Sequence, residues 1–287
     1  MDSSAGPFMI DAHFHLWRYD AGEYGWINEG MGALRRDYLP SHLLEEFHAN
    51  GVLGGIAVQA RQTLAETEWL IELRRNSPGI LGVVGWVDLC SPSVRDDLAR
   101  FDGELVGIRH ILQAEADDAF MLRESFVRGL TALEERGLVY DLLIFPRHLA
   151  NAEALVARLP NQRFVLDHVA KPFIRDRQIE PWASALRRLA RFPNVSCKLS
   201  GLVTEADWRA FSREDLLPYL EIALDAFGPE RLLFGSDWPV CLLAASYSSV
   251  ASIVRGFVER LSAGERAAVL GGNAARWYGL EGALTGR

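Results

Sequence analysis

Only two of the 30 basic residues in this 287-residue chain, Lys171 and Lys198, are lysine. Replacing lysine by arginine almost everywhere is the mark of genomic base composition and by itself carries no function. Both survivors nevertheless close or follow short apolar runs, positions where a compact ammonium is suited and a forked guanidinium would not fit. Cysteine is scarce too. Cys90, Cys197 and Cys241 are odd in number, widely spaced and without a Cys-x-x-Cys pair, which excludes a disulfide framework and points to a reduced, cytoplasmic setting. No stretch approaches the roughly 20 apolar residues of a membrane span, and the residues before His13 lack the basic segment and apolar core of a secretory signal. A formal net charge of −8 makes extended nucleic-acid phosphate an unfavourable partner. No Gly-x-Gly-x-x-Gly turn follows the first apolar run, which argues against an open dinucleotide-binding sheet. Ser200 and Ser236 are not set in a Gly-x-Ser-x-Gly elbow, which argues against a serine triad.

What the chain does have is apolar content, 49%, enough to fill a sizeable core. Short β-rich runs recur near 9–13, 54–60, 81–89, 105–112, 139–145, 163–169, 194–200 and 231–237. Helical spacing or composition occupies 41–50, 64–76, 93–101, 120–136, 150–159, 181–192, 214–227 and 246–277, with Pro or Gly at many of the ends. Eight β-then-α units with nearly continuous apolar strands predict a parallel sheet closed into a (β/α)8 TIM barrel. No linker or low-complexity tract interrupts the pattern, so residues 1–287 read as a single domain. The longest insertion, 17–40, carries Trp17, Tyr19, Tyr24, Trp26 and Tyr38 and is a candidate lid loop.

The first strand ends in His13-Phe14-His15. Histidines at i and i+2 of a strand face the same side, so both imidazoles can meet one metal ion or one substrate atom. Chemistry in such barrels sits at the carboxyl ends of the strands. There the chain places Gln59 and Arg61, Trp86 and Asp88, Arg109 and His110, Asp167 and His168 followed by Lys171, Lys198 and Ser200, and Ser236-Asp237-Trp238. Four of the seven histidines fall at these ends. His42 and His48 read as surface helix residues, and His148 as a helix-start residue.

The segments Ile10–Trp17, Gly107–His110, Leu166–Pro172, Cys197–Gly201 and Leu233–Pro239 together resemble the amidohydrolase superfamily, specifically its amidohydrolase-2 branch. That branch contains sugar lactonases of the fuconolactonase and rhamnonolactonase type and 2-pyrone-4,6-dicarboxylate lactonases. The resemblance runs from about residue 9 to residue 280. It implies His13 and His15 as the strand-one pair, His168 as the strand-six histidine and Asp237 as the strand-eight carboxylate, all catalytic. Two-metal members carry a bridging ligand at strand four and a histidine at strand five. Here Arg109-His110 and Val139-Tyr140-Asp141-Leu142 stand instead, so a two-metal site is not expected.

One weakly held Zn2+ on His13, His15 and Asp237 is chemically reasonable. The resemblance also implies lactonases that need no metal, so no cofactor is expected to be required. A lactone is an activated ester, and a positioned carboxylate base suffices for it. The reading is hydrolysis of an aldonolactone, L-fuconolactone or a related L-sugar lactone, with Asp237 activating water. Arg109, Lys198, Lys171, Trp17, Trp26, Gln59 and Trp86 are the candidate substrate-binding residues, since aromatic faces and polar groups suit an uncharged polyol. A dicarboxylate lactone, the alternative, would call on converging arginines, with Arg61, Arg109 and Arg147 available. A zinc-dependent decarboxylase or amide hydrolase is the other alternative.

Overall fold

The computed structural model describes residues 8–280 and Gly282. Eight parallel strands follow one another in strict order: β1 Met9–Phe14, β2 Val52–Val58, β3 Ile80–Gly85, β4 Gly107–His110, β5 Val139–Leu142, β6 Phe164–Leu166, β7 Val195–Leu199 and β8 Leu232–Phe234. The last seam closes without a full ladder: His15 N donates to Trp238 O at 2.6 Å and Asp237 N to His13 O at 2.8 Å. This is the expected (β/α)8 barrel. The outer layer comprises α1 Pro40–Asn50, α2 Leu64–Asn76, α3 Val94–Ala99, α4 Glu124–Glu134, α5 Leu149–Arg158, α6 Trp182–Leu189, α7 Leu202–Glu205, α8 Arg213–Phe227, α9 Tyr247–Val258, α10 Ala263–Ala267 and α11 Asn273–Tyr278. Among the described residues, no helix is long and apolar enough to cross a membrane.

Several boundaries differ from the sequence reading for local reasons. The single helix expected over 246–277 is broken after α9, where Ser262 starts α10 by accepting from Glu265 N at 3.3 Å. The helix expected from Phe120 begins only at Glu124, because Arg123 is extended at φ −60°, ψ 136°. The sixth strand stops at Leu166, three residues short of the expected end, because His168 and Val169 take positive φ.

Two apolar layers hold the barrel. Ile10, Ala12, Ile56, Val58, Leu81, Val84, Val139, Val165 and Leu233 fill its interior, and Trp277 and Tyr278 of α11, with Leu280 just beyond it, pack against them as a plug. The opposite end of the barrel is left for polar residues. In β1, the four residues from Asp11 to Phe14 run beside only three of β2, Gly55 to Ala57. The extra residue breaks the alternation. Phe14 therefore packs on Phe47 of α1, and Asp11 reaches Tyr247 of α9 at 3.0 Å, while His13 and His15 turn to the mouth.

Candidate active site

His13, His15, His168 and Asp237 converge. The Nε2 atoms of His13 and His15 are 3.1 Å apart, and Asp237 Oδ1 lies 3.7, 3.5 and 3.8 Å from Nε2 of His13, His15 and His168. Each ring is oriented from behind. His15 Nδ1 meets Val58 O at 2.7 Å, and His168 Nδ1 meets Ser200 Oγ at 2.8 Å. His13 Nδ1 faces Lys198 Nζ at 3.1 Å and Asp167 Oδ1 at 3.3 Å.

The loop after β6 is a left-handed turn: His168, Val169, Ala170 and Lys171 have φ of 53°, 52°, 58° and 50°. Left-handed backbone costs L-residues about 1–2 kcal/mol apiece, so surrounding structure has to hold it. Trp182 Nε1 does so by donating to Val169 O at 2.8 Å, as does the 2.7 Å bond from Lys171 N to His168 O. Asp237 is left-handed too, at φ 57°.

Burial dominates the electrostatics. It pushes the pKa of His13 and His15 down and that of His168 to about 4, so the imidazoles are neutral at physiological pH. Burial opposes ionisation of Asp237 as well, but His168, His15 and His13 outweigh it and hold the carboxyl below the usual range. That attraction acts when the rings protonate, in acid; near neutrality the site is one carboxylate among neutral imidazoles. Burial lifts Asp141 to about 6 against the pull of Lys198, leaving it ionised above that pH.

The remaining sequence candidates divide. Arg109 and Gln59 form a buried wall: Arg109 Nη2 donates to Gln59 O, Gln59 Nε2 donates to Arg109 O at 3.1 Å, and Arg109 Nη1 reaches Asp167 Oδ2 at 3.0 Å. Lys171, at the rim, lies 3.9 Å from Glu205 Oε1. Trp86 donates to His110 Nδ1 at 3.4 Å, and Trp26 is 40% exposed. Two expectations need correction. Lys198 does not face the mouth; it is fully buried behind His13, its ammonium held by Asp141 and, at 2.9 Å, by Asp167. Trp17 is also fully buried, enclosed by Tyr24, Trp26 and Tyr38, with its indole N–H given to Arg36 O at 2.9 Å.

Loop 17–40 is seated against the strand ends rather than standing away from them. Tyr38 packs edge-on against Trp238, Glu23 pairs with Arg61, and Tyr24 donates to Glu66 at 3.4 Å. Glu66 is a residue the sequence reading missed. Its carboxylate takes the N–H groups of Ala60 and Arg61 at 3.0 and 2.7 Å, and burial raises its pKa to about 7. Asp141, Asp11 and Tyr278 were missed as well. A lone carboxylate inside the apolar run Val139-Tyr140-Asp141-Leu142, in a chain with a lone strand lysine, was the available signal for the first.

The donors suit a metal ion. A tetrahedral ion with bonds of about 2.1 Å sets its ligands about 3.4 Å apart. The separations among His13 Nε2, His15 Nε2 and Asp237 Oδ1, 3.1, 3.5 and 3.7 Å, bracket that value. A family model, Amidohydro_2, described as amidohydrolase, matches residues 10–280. The chain belongs to the amidohydrolase family.

This amidohydrolase is 50% identical to an L-fucono-1,5-lactonase of Burkholderia multivorans, over 96% of this chain and 97% of that one. It is 36% identical to an L-fucono-1,5-lactonase of Burkholderia ambifaria, over 96% of each chain. A crystal structure of an amidohydrolase from Burkholderia multivorans with bound zinc superposes with a TM-score of 0.92 at 50% identity, covering 95% of this chain and 99% of that one.

Proposed function

We propose that this amidohydrolase hydrolyses a sugar lactone, L-fucono-1,5-lactone or a related L-sugar lactone, to the open-chain acid. The observation that carries the reading is the near-full-length identity to an L-fucono-1,5-lactonase, and an ionised Asp237 at the barrel mouth gives it chemistry. Asp237 takes a proton from water as the water oxygen bonds to the lactone carbonyl carbon. The ring C–O bond then breaks, and the proton passes to the departing ring oxygen. The neutral imidazoles of His13 and His168 supply hydrogen-bond donors for the oxyanion. The arginines a dicarboxylate would require are already committed to carboxylates: Arg61 to Glu23, Arg109 to Asp167 and Arg147 to Asp118. That favours an uncharged polyol, met at the rim by Lys171, Trp26 and Trp86.

His13, His15 and Asp237 would hold one divalent ion, which when bound would polarise a carbonyl and acidify water. The lactone chemistry above does not require it. The three unpaired cysteines fit the reducing cytoplasm as the place of work. The test is proton release over a panel of five- and six-membered sugar lactones. Turnover of L-sugar lactones above the uncatalysed rate is expected, and no turnover of any member would refute the reading.

A further inference from the structure

We infer that Lys198 is a positioning residue that fixes the proton of His13 on Nε2, making His13 a hydrogen-bond donor to the site and opposing metal coordination by that nitrogen. Contacts at both ends of one row of atoms require this tautomer. At one end, His15 Nδ1 lies 2.7 Å from Val58 O, which can only accept. His15 therefore carries its proton on Nδ1, and its Nε2 presents a lone pair. His13 Nε2, 3.1 Å away, supplies the proton for that contact.

At the other end, an ammonium has three hydrogens and no lone pair. Lys198 Nζ lies 3.1 Å from His13 Nδ1, so that nitrogen has to accept, and the His13 proton is again left on Nε2. Arg109 Nη1 also lies 3.3 Å from His13 Nε2, but its shorter contact, 3.0 Å, is to Asp167 Oδ2. Asp167 Oδ1, 3.3 Å from His13 Nδ1, is the group that could take a proton from that nitrogen instead. That oxygen makes a 2.9 Å ion pair with the Lys198 ammonium but no hydrogen bond among the described residues, so it is the competing acceptor that the ring spectrum has to exclude. Lys198 is itself held in place, fully buried between Asp141 and Asp167, with Tyr278 from the C-terminal plug donating to Asp141 at 2.7 Å.

To offer a lone pair from Nε2, His13 has to give up that proton and carry one on Nδ1 toward Asp167, against the adjacent ammonium. The donors fit an ion in position, but the ring is set in the wrong tautomer by Lys198. Removing Lys198 alone would also raise zinc affinity through charge, so the informative variant is Lys198→Met with Asp141→Asn, which deletes a cation and an anion together.

The experiment uses full-length protein with 15N-labelled histidine, and long-range 1H–15N spectra report which ring nitrogen of each histidine bears the proton. His13, assigned by its loss in His13→Gln, is expected as the Nε2–H form in the metal-free wild type. An Nδ1–H form or an imidazolium there overturns the inference. In the folded double variant, the Nδ1–H form of His13 is expected to gain population. Zinc, titrated alone against a chromophoric chelator, is expected to bind more tightly by roughly 10–100-fold, the usual range for a group acting through a metal ligand. An unchanged ring spectrum with unchanged zinc affinity overturns the role of Lys198. If the double variant does not fold, Lys198→Met alone, read by the ring spectrum and not by zinc affinity, carries the test, and an unchanged Nε2–H form there overturns the role of Lys198. Neither readout involves turnover, so both are separable from the identity of the lactone.

Discussion

His168 Nε2 and Asp237 Oδ1 lie 3.8 Å apart, and both residues stand in left-handed backbone, at φ 53° and 57°. Positive φ is uncommon outside glycine, although Asp and His are among the residue types that accept it most readily. Strand ends that stop abruptly and turn in this way bring an imidazole from β6 and a carboxylate from β8 over the same point of the barrel mouth.

Asp237→Asn preserves size and removes the proton acceptor. The turnover number should fall by on the order of 100-fold or more with the melting temperature retained. Steady-state kinetics on a lactone turned over by the wild type decide it, and wild-type turnover would remove Asp237 from the role of base.

Prolonged chelation should leave most lactonase activity, because a lactone is an activated ester and the base is an ionised carboxylate. Metal analysis accompanies the assay. Loss of activity that one equivalent of zinc restores would favour the zinc-dependent reading instead.

Gly201 has φ +66°, and a Cβ there would stand 2.5 Å from His168 Nδ1 and 2.6 Å from its Cγ. Gly201→Ala should cost about 1–2 kcal/mol from the backbone alone. It should also displace the His168 ring and lower turnover by on the order of 10–100-fold. Thermal melts together with kinetics separate the two effects; unchanged turnover would show that the orientation of His168 is not needed.

Glu66 supplies a pH dependence. Burial lifts its folded pKa to about 7 from 4.5, so the folded state holds the proton that the unfolded state releases. Stability from this group is therefore present below the unfolded value and is lost as pH rises through about 7. Glu66→Gln mimics the protonated form. Its melting temperature relative to wild type should rise between pH 4.5 and about 7 and level off above that, and a difference that stays constant with pH would contradict the assignment.

His148 shows how a residue's type can be read correctly while its partner remains hidden. Its Nδ1 accepts from Phe145 N at 3.0 Å, as a helix-start residue would, but its Nε2 meets Asp118, from another loop, at 2.9 Å. The left-handed turn after β6 was beyond sequence reading for a related reason. Val169 and Ala170 have no intrinsic preference for positive φ, and Trp182, arriving from α6, helps to hold the backbone there.

The amino-acid sequence by itself determined the barrel and the convergence of His13, His15, His168 and Asp237. Apolar periodicity is local, and in a parallel barrel every strand delivers its carboxyl end to one face. Tertiary structure alone decided what Lys198 does. Its partner Asp141 is 57 residues away, and only closure of the barrel brings the two together. Residue type cannot tell an ammonium that meets substrate from one enclosed by carboxylates, because a charge pair is set by the path of the backbone between its members.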